Sequence, residues 1–390
     1  MQISFTEEEI MIQDTARQFA VSELKPSAQF VESEQGKTKF LENVKALAEL
    51  GFMGINIDSQ YGGIEAGSVA FSLAITEIAR GCASTAVTTS VTNMVAEVIQ
   101  AVGNDAQKLH YLPKICSGEF YAGGFCLTES MAGSDPSAMK TRAVKVGDDY
   151  VLNGSKIFIT SAEYAGVFVV WAVTDPDAPR GKGISCFLVD GDLPGVTIGK
   201  AEEKMGQKAS STNEVVFDNC KVPASALLGE ENQGFKIAVA ELAGGRIGIA
   251  SLALGLGLEA LDYAKEYIKE RKQFGQPLAN FQGLQWMLAD RYTEMEAARL
   301  LIMQAATNKD DKVPFATAAS MAKVFASEKA NDACYTALQL LGGAGYIKEY
   351  PLERYMRDAR VHQILEGTNE IMRLIVSRRV MMDGVLEVIR

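Results

Sequence analysis

The hydrophobic pattern of this chain changes period twice, and few architectures accommodate both changes. Up to about residue 120 the apolar residues follow a helical repeat. Ile10, Ala16, Phe19 and Ala20 share one face, and Phe40, Val44, Leu47 and Leu50 share another, which Gly51 ends. Phe71 to Arg80 and Val87 to Ala101 read as small-residue-rich helices able to pack closely. Near Tyr121 the pattern becomes short alternating or wholly apolar runs: Tyr150-Val151-Leu152, Lys156 to Ile159, Val167 to Thr174, Ile184 to Val189 and Val215 to Phe217. Asn153-Gly154 separates the first two and predicts a hairpin turn. Pro176 and Pro179 fall in a connecting loop. From Asn232 the helical period returns in longer segments, over 233–271, 282–306, 315–341 and 370–382. The expected fold is α+β and multidomain: an N-terminal α-helical domain (1–120), a central β-barrel-like domain (121–228) and a C-terminal four-helix bundle (229–390). The N-terminal domain shows no charged constellation and is expected to act as a wall.

The formal charge of −11 argues against a broad nucleic-acid surface, which needs excess Lys and Arg. No window approaches 18 uninterrupted apolar residues, so no membrane insertion is expected. The N-terminus carries Glu7-Glu8-Glu9, unlike a signal or transit peptide. A cytoplasmic location is therefore expected, or the mitochondrial matrix if a transit peptide was removed. Six scattered cysteines without a CxxC pair read as reduced thiols. With only two histidines, His110 and His362, and no cysteine cluster beside them, no metal site is expected.

The run His362-Gln363-Ile364-Leu365 ends in a lone carboxylate, Glu366, followed by Gly367 and Thr368. Gly367 permits a turn that a Cβ would forbid, and Thr368 or Asn369 suits the N-cap of the next helix. Glu366 has two readings. It can complement a helix dipole, or it can serve as a general base made more basic by apolar neighbours.

Glu366-Gly367-Thr368-Asn369-Glu370, together with Arg357-Asp358-Ala359-Arg360 and Gln339-Leu340-Leu341-Gly342-Gly343, resembles the C-terminal signature of the acyl-CoA dehydrogenases. The likeness extends over nearly the whole chain, and the motifs occur in the family's order. It implies that Glu366 is the catalytic base for the proton α to a thioester carbonyl, and that FAD is the cofactor. The segments holding Phe125, Leu127, Thr128 and Ser134, and Phe158, Ile159 and Thr160, resemble the family's flavin-contacting strands, with Ser134 also touching the acyl-CoA. By themselves Thr128 and Thr160 are ordinary strand threonines. Arg271, Gln273, Phe274 and Gln282 resemble contacts to the adenine dinucleotide of a neighbouring subunit, although Arg271 alone also reads as a solvated helix end. Gln339, Leu340, Gly342 and Gly343 match the segment over the ADP half, and Thr368, Asn369 and Glu370 complete the cofactor set. On the substrate side the resemblance implies Arg246 and Gly367, with Arg378 a further candidate that equally suits a helix C-terminus. The chain departs from the family at Ala243, where many members carry Asp, and at Ser130-Met131. No strand-to-helix GxGxxG motif supports a Rossmann site.

The implied activity is FAD-dependent α,β-dehydrogenation of a short-chain or short branched-chain acyl-CoA to the 2-enoyl-CoA, in fatty acid or branched-chain amino acid catabolism. Electrons would pass to electron-transferring flavoprotein, and the assembly would be a homotetramer. Residues 360–367 look most like isobutyryl-CoA dehydrogenases, whereas 206–217 and 245–251 look equally like short-chain acyl-CoA dehydrogenases. Two rivals stand: an acyl-CoA oxidase, and a flavin-free scaffold on the same fold.

Overall fold

The computed structural model describes residues 4–383. Thr6 opens helix α1 (Glu7–Phe19) with a reciprocal cap, its hydroxyl accepting the Glu9 N–H while the Glu9 carboxylate accepts its own N–H. A π-helical turn, Ala20–Leu24, leads into α2 (Lys25–Ser27), and α3 (Lys37–Glu49), α4 (Gly67–Gly81), α5 (Ala83–Val102) and α6 (Asp105–Cys116) follow. Ile12 rather than Ile10 faces the core of α1, and Leu50 is exposed after α3 ends at Gly51. Helices α4 and α5 are buried almost all round, as their small side chains allow.

The central part holds β1 (Ala122–Cys126), β2 (Arg142–Val146), β3 (Asp149–Thr160), β4 (Ala165–Val173), β5 (Ile184–Asp190), β6 (Val196–Ala201), β7 (Thr212–Pro223) and β8 (Leu227–Leu228). They pair in the order β6-β7-β3-β2-β4-β5-β8, with β1 parallel to β4. β2 and β4 meet only at Arg142 and Val173, so the sheet bends there into two halves. Phe168, Val170 and Ala172 of β4 face β3 and β7 across a shared core. The alternate residues Val167, Val169 and Trp171 pack against α5 and α6. Strands apolar on both faces are thus explained by two buried faces.

Asn153-Gly154 does not turn the chain. β3 runs straight through it, with a bulge against β7 between Leu152 and Gly154. The turn lies earlier, at Gly147-Asp148, where Gly147 has φ 62°. Gly154 is required for a different reason: a Cβ there would lie 2.5 Å from Thr141 Oγ1. In a strand, glycine marks close approach as readily as a turn.

The C-terminal part begins with α7 (Gly234–Glu270), then a small hairpin of β9 (Lys272–Gln273) and β10 (Gln276–Pro277). Helices α8 (Gln282–Asp310), α9 (Ala316–Leu341), α10 (Gly343–Tyr346), α11 (Leu352–Arg360) and α12 (Asn369–Asp383) follow. α7 is long and apolar enough to cross a membrane, but 67% of its most apolar window is buried within the protein, as in a core helix. Gly255 approaches the Thr76 carbonyl of α4, and Gly257 approaches Ala330 of α9. One apolar core therefore runs through both helical parts. All six cysteines are free and buried, and burial pushes the Cys116 and Cys220 thiols up to about 11.

Candidate active site

Helix α11 ends in a single 3₁₀ turn, Val361–Gln363, whose first carbonyl accepts the N–H groups of Ile364 and Leu365. The backbone then reverses through two left-handed residues, Glu366 (φ 55°) and Gly367 (φ 90°). Gly367 adopts this freely, and a Cβ there would meet Met372 Cε at 2.7 Å. For Glu366 the conformation is strained, and such strain persists only when the surroundings hold it. Thr368 is the N-cap of α12: its hydroxyl accepts the Ile371 N–H at 3.4 Å. The acidic residue in the first turn of α12 is Glu370, so dipole complementation falls to Glu370 and not to Glu366.

The surroundings hold the turn on three sides. Lys323 of α9 donates to the Gly367 carbonyl at 2.8 Å and to Asn369 Oδ1 at 2.9 Å. His362 is buried, and its Nε2 accepts from Gln207 at 2.7 Å. Gln207 also gives its backbone N–H to Asp358, whose acidity burial weakens until it titrates at about 7. Arg357 binds Glu353 through two N–H groups, at 2.7 and 3.0 Å, and donates to the Met205 carbonyl at 3.0 Å. The Arg357–Arg360 motif is therefore the joint between the β-domain and the helix that aims the turn.

Glu366 points at α7. An ideal Cβ on Gly245 would lie 2.8 Å from Glu366 Oε2 and 2.7 Å from Met94 Sδ of α5, so only glycine leaves room for the carboxylate. Oε2 is buried with no hydrogen-bond partner, as is Nε of the neighbouring Arg246. Burial raises the Glu366 carboxyl to about 7, against the pull of Arg246 and Lys323. A half-charged, unpartnered carboxylate near neutral pH suits a general base. Gly245→Ala should displace it. Flavin reduction by substrate should slow by about 10²-fold, the scale of a 1 Å misplacement, with FAD content unchanged. An unaltered rate would place the carboxylate elsewhere.

The helical wall is less neutral than its sequence suggests. Glu97 of α5 pairs with Lys309 of α8 at 2.5 Å and accepts from Asn56 at 2.8 Å. Glu241, one helical turn before Gly245, is raised to about 8 by burial and by Glu97. Ala243 is buried.

The other predicted site residues form two further groups. Leu127 and Thr128 sit just past β1, and Phe158, Ile159 and Thr160 end β3. Thr128 accepts the Ile157 N–H at 2.9 Å, and Lys156, fully buried, bonds to the Leu127 carbonyl and to Glu129 at 2.7 Å. Phe158 stands out on a bulge at φ 57° and is 61% exposed. The Thr128 and Thr160 hydroxyls make no hydrogen bond among the described residues. Phe125 instead packs against Trp171 at a tilt of 46°, with ring centroids 4.3 Å apart. Ser134 is exposed in the loop beyond. This group meets the Glu366 turn at α5, where Val95 packs on Gly123 and Met94, like Glu366, lies against Gly245.

Arg271, Gln273, Phe274 and Gln282 lie at the far end of α7, with Gln339, Leu340, Gly342 and Gly343 at the parallel end of α9. Tyr267 and Tyr350 join these ends through ring contact at 6.1 Å. Arg271 is twenty-six residues past Gly245, or about 39 Å along a helix. The fold therefore does not bring this group to the Glu366 turn of the same chain. Phe274, at the hairpin tip, is 92% exposed. Leu340 is buried, as is Asn369, whose side chain is engaged by Lys323 and Ser327. Glu370 and Arg378 face solvent.

Residues 6–119, 124–220 and 232–381 match, in order, the N-terminal, middle and C-terminal domains of acyl-CoA dehydrogenase. The chain belongs to the acyl-CoA dehydrogenase family. The short-chain specific acyl-CoA dehydrogenase of Clostridium acetobutylicum is 42% identical over 97% of this chain and 100% of its own. Butyryl-CoA dehydrogenase from Megasphaera elsdenii superposes with a TM-score of 0.93 at 39% identity, over 98% of this chain and 100% of that one. A chain from the structure of the electron transferring flavoprotein of Acidaminococcus fermentans superposes at 0.95 and 43%, over 98% and 100%. As an acyl-CoA dehydrogenase the protein is an FAD-dependent oxidoreductase. Its residues fit that cofactor: an exposed aromatic on a bulge lies beside two unengaged hydroxyls, and an orphaned carboxylate lies across α5. Lys323 is a further residue bonded to the Glu366–Gly367 turn that no motif marks. Its signal was a lysine interrupting the alanine face Ala319, Ala322, Ala326 and Ala330.

Proposed function

We propose that this acyl-CoA dehydrogenase acts on a short acyl chain, with Glu366 as the base. The observation that carries the reading is the buried, partnerless Glu366 Oε2, held against Gly245 in a strained turn. Glu366 takes the α-proton as the Cα–Cβ double bond forms. FAD, when bound, accepts the hydride released from the β-carbon. The Glu366 N–H, which bonds to no other backbone group among the described residues, supports the developing negative charge on the thioester oxygen. Thr128 and Thr160 offer hydroxyls to the flavin, and Phe158 packs on it. Arg246, its Nε free, faces the same point.

The CoA phosphates need local basic residues in a chain of net charge −11. A cleft of about 530 Å³, lined by Ser137, Lys140, Arg142 and Arg180, lies beside the Ser134 loop and supplies them. Arg271 and the Gln339–Gly343 segment are too far from Glu366 to complete its own site, which supports a shared cofactor site in a homotetramer. Electrons pass to electron-transferring flavoprotein.

Anaerobic flavin bleaching against butyryl-, isobutyryl-, 2-methylbutyryl- and octanoyl-CoA tests the reading. A four-carbon ester should bleach the flavin at least about tenfold faster than octanoyl-CoA, the scale of a few unfavourable methylenes. The reduced protein should reoxidise faster with electron-transferring flavoprotein than with oxygen. Preference for octanoyl-CoA would overturn the substrate class, and rapid turnover with oxygen would favour the oxidase.

A further inference from the structure

We propose that Lys323 is a positioning residue of the reaction, fastening the strained Glu366–Gly367 turn and supplying the positive charge that keeps Glu366 available as a base. The proposal rests on the reading of Glu366 as the base.

Lys323 has no exposed surface and is one of the two lysines among the largest fully buried side chains. Burying an ammonium costs several kcal/mol unless it is hydrogen-bonded and offset by charge. Here two of its three N–H groups are used, and both act on the catalytic turn. One holds the carbonyl of Gly367, the residue directly after the base. The other holds Asn369 Oδ1, in the first turn of α12. Asn369 in turn donates to Ser327, four residues along α9 from Lys323, and to Glu328. α9 thereby grips the turn at two positions one helical turn apart, on either side of Thr368. A left-handed glutamate needs such over-determination to persist.

The charges around Glu366 come from two helices. Arg246 and Glu241 face it from α7, and Lys323 faces it from α9; Met94 of α5, lying against the same Gly245, is uncharged. Lys323 itself faces Glu366 and Arg246, Glu328 of its own helix, Glu370 of α12 and the ring of His362. Burial lowers the lysine to about 7, against the attraction of Glu366. Burial raises the glutamate, whereas Arg246 and Lys323 lower it. Removing the lysine leaves Arg246 as the one facing cation among the described residues. The Glu366 carboxyl must then hold its proton to higher pH, and less of it is ionised at neutrality.

The test uses the FAD-loaded protein and three variants. Lys323→Gln removes the charge but keeps donors, Lys323→Met removes both, and Lys323→Arg restores a cation. Two readouts apply: infrared titration of the Glu366 carboxyl, assigned by its loss in Glu366→Gln, and the pH dependence of anaerobic flavin reduction. The wild-type acid limb should fall at about 7. In Lys323→Gln and Lys323→Met both the titration and the limb should move up by about one unit or more, the usual scale for an opposite charge nearby. Lys323→Arg should lie between these and the wild type. Lys323→Met should also lose rate on the pH plateau. FAD content should stay unchanged in Lys323→Gln. Should Lys323→Met fail to fold, Lys323→Gln decides alone. A carboxyl titrating as in the wild type in Lys323→Gln would overturn the proposal. Wild-type bleaching by Glu366→Gln would instead overturn the base assignment itself.

Discussion

Replacing Glu366 with glutamine should give a yellow protein that binds acyl-CoA and is no longer bleached by it. The amide keeps the shape of the carboxylate, so it still fits the space that Gly245 leaves. What it loses is the capacity to accept the α-proton. Anaerobic flavin reduction should fall by ~10²–10⁴-fold, the usual contribution of a positioned base. Glu366→Asp should retain part of the rate, its carboxylate drawn back by about one methylene. Stability separates this reading from a helix-dipole role, where the loss would be about 1 kcal/mol or less with turnover intact. The folded-state carboxyl is raised from 4.5 to about 7. Between those values the unfolded chain gives up a proton that the folded chain keeps. The wild type therefore loses stability as pH rises through this window. Glu366→Gln has no such proton to lose, so its Tm should gain on that of the wild type from acid to neutral pH. Rapid bleaching of the variant, or a Tm difference independent of pH, would move the base elsewhere.

Arg271→Ala should loosen both FAD and the assembly. Arg271 caps the C-terminus of α7, is exposed, and forms no ion pair among the described residues. If it grips the pyrophosphate of a neighbouring chain's FAD, its loss removes charge-assisted hydrogen bonds worth about 1.5–3 kcal/mol. FAD affinity should drop by about ten- to a hundredfold. Ligand and subunit contacts are linked, so the oligomer should dissociate at higher protein concentration unless FAD is in excess. Lys should rescue only in part, because a point charge cannot reproduce a two-pronged fork. Sedimentation and FAD titration on the same samples read both effects. A variant retaining FAD and assembly at wild-type levels would leave Arg271 as a solvated helix end.

The helices were legible because their apolar faces are long. The segments expected over 233–271 and 315–341 are observed as α7 and α9 within about a residue at each end. β4 and β5 were legible as uninterrupted apolar runs. Asn153-Gly154 misled because a dipeptide signal reports backbone freedom and not its use, and here the freedom serves the approach of Thr141. At the Glu366 turn the sequence pointed to Gly367 as the unusual backbone, whereas Glu366 itself shares that conformation. A side chain forced left-handed by its surroundings leaves no mark in its own identity. The same holds for Lys323, whose meaning depends on a carbonyl forty-four residues away.

The thirty-seven residues of α7 carry the room for the proposed base about a third of the way along and the proposed grip on a partner's cofactor at the far end. Between these two points the helix is a gauge about 39 Å long. One residue inserted between Gly257 and Arg271 would advance the hairpin tip by about 1.5 Å and swing it by about 100°. Arg271 would then miss a phosphate it reaches by direction as much as by distance. Side chains along this stretch can drift while its length cannot, so viable insertions should collect in the loops beyond Asp310 and before Leu352.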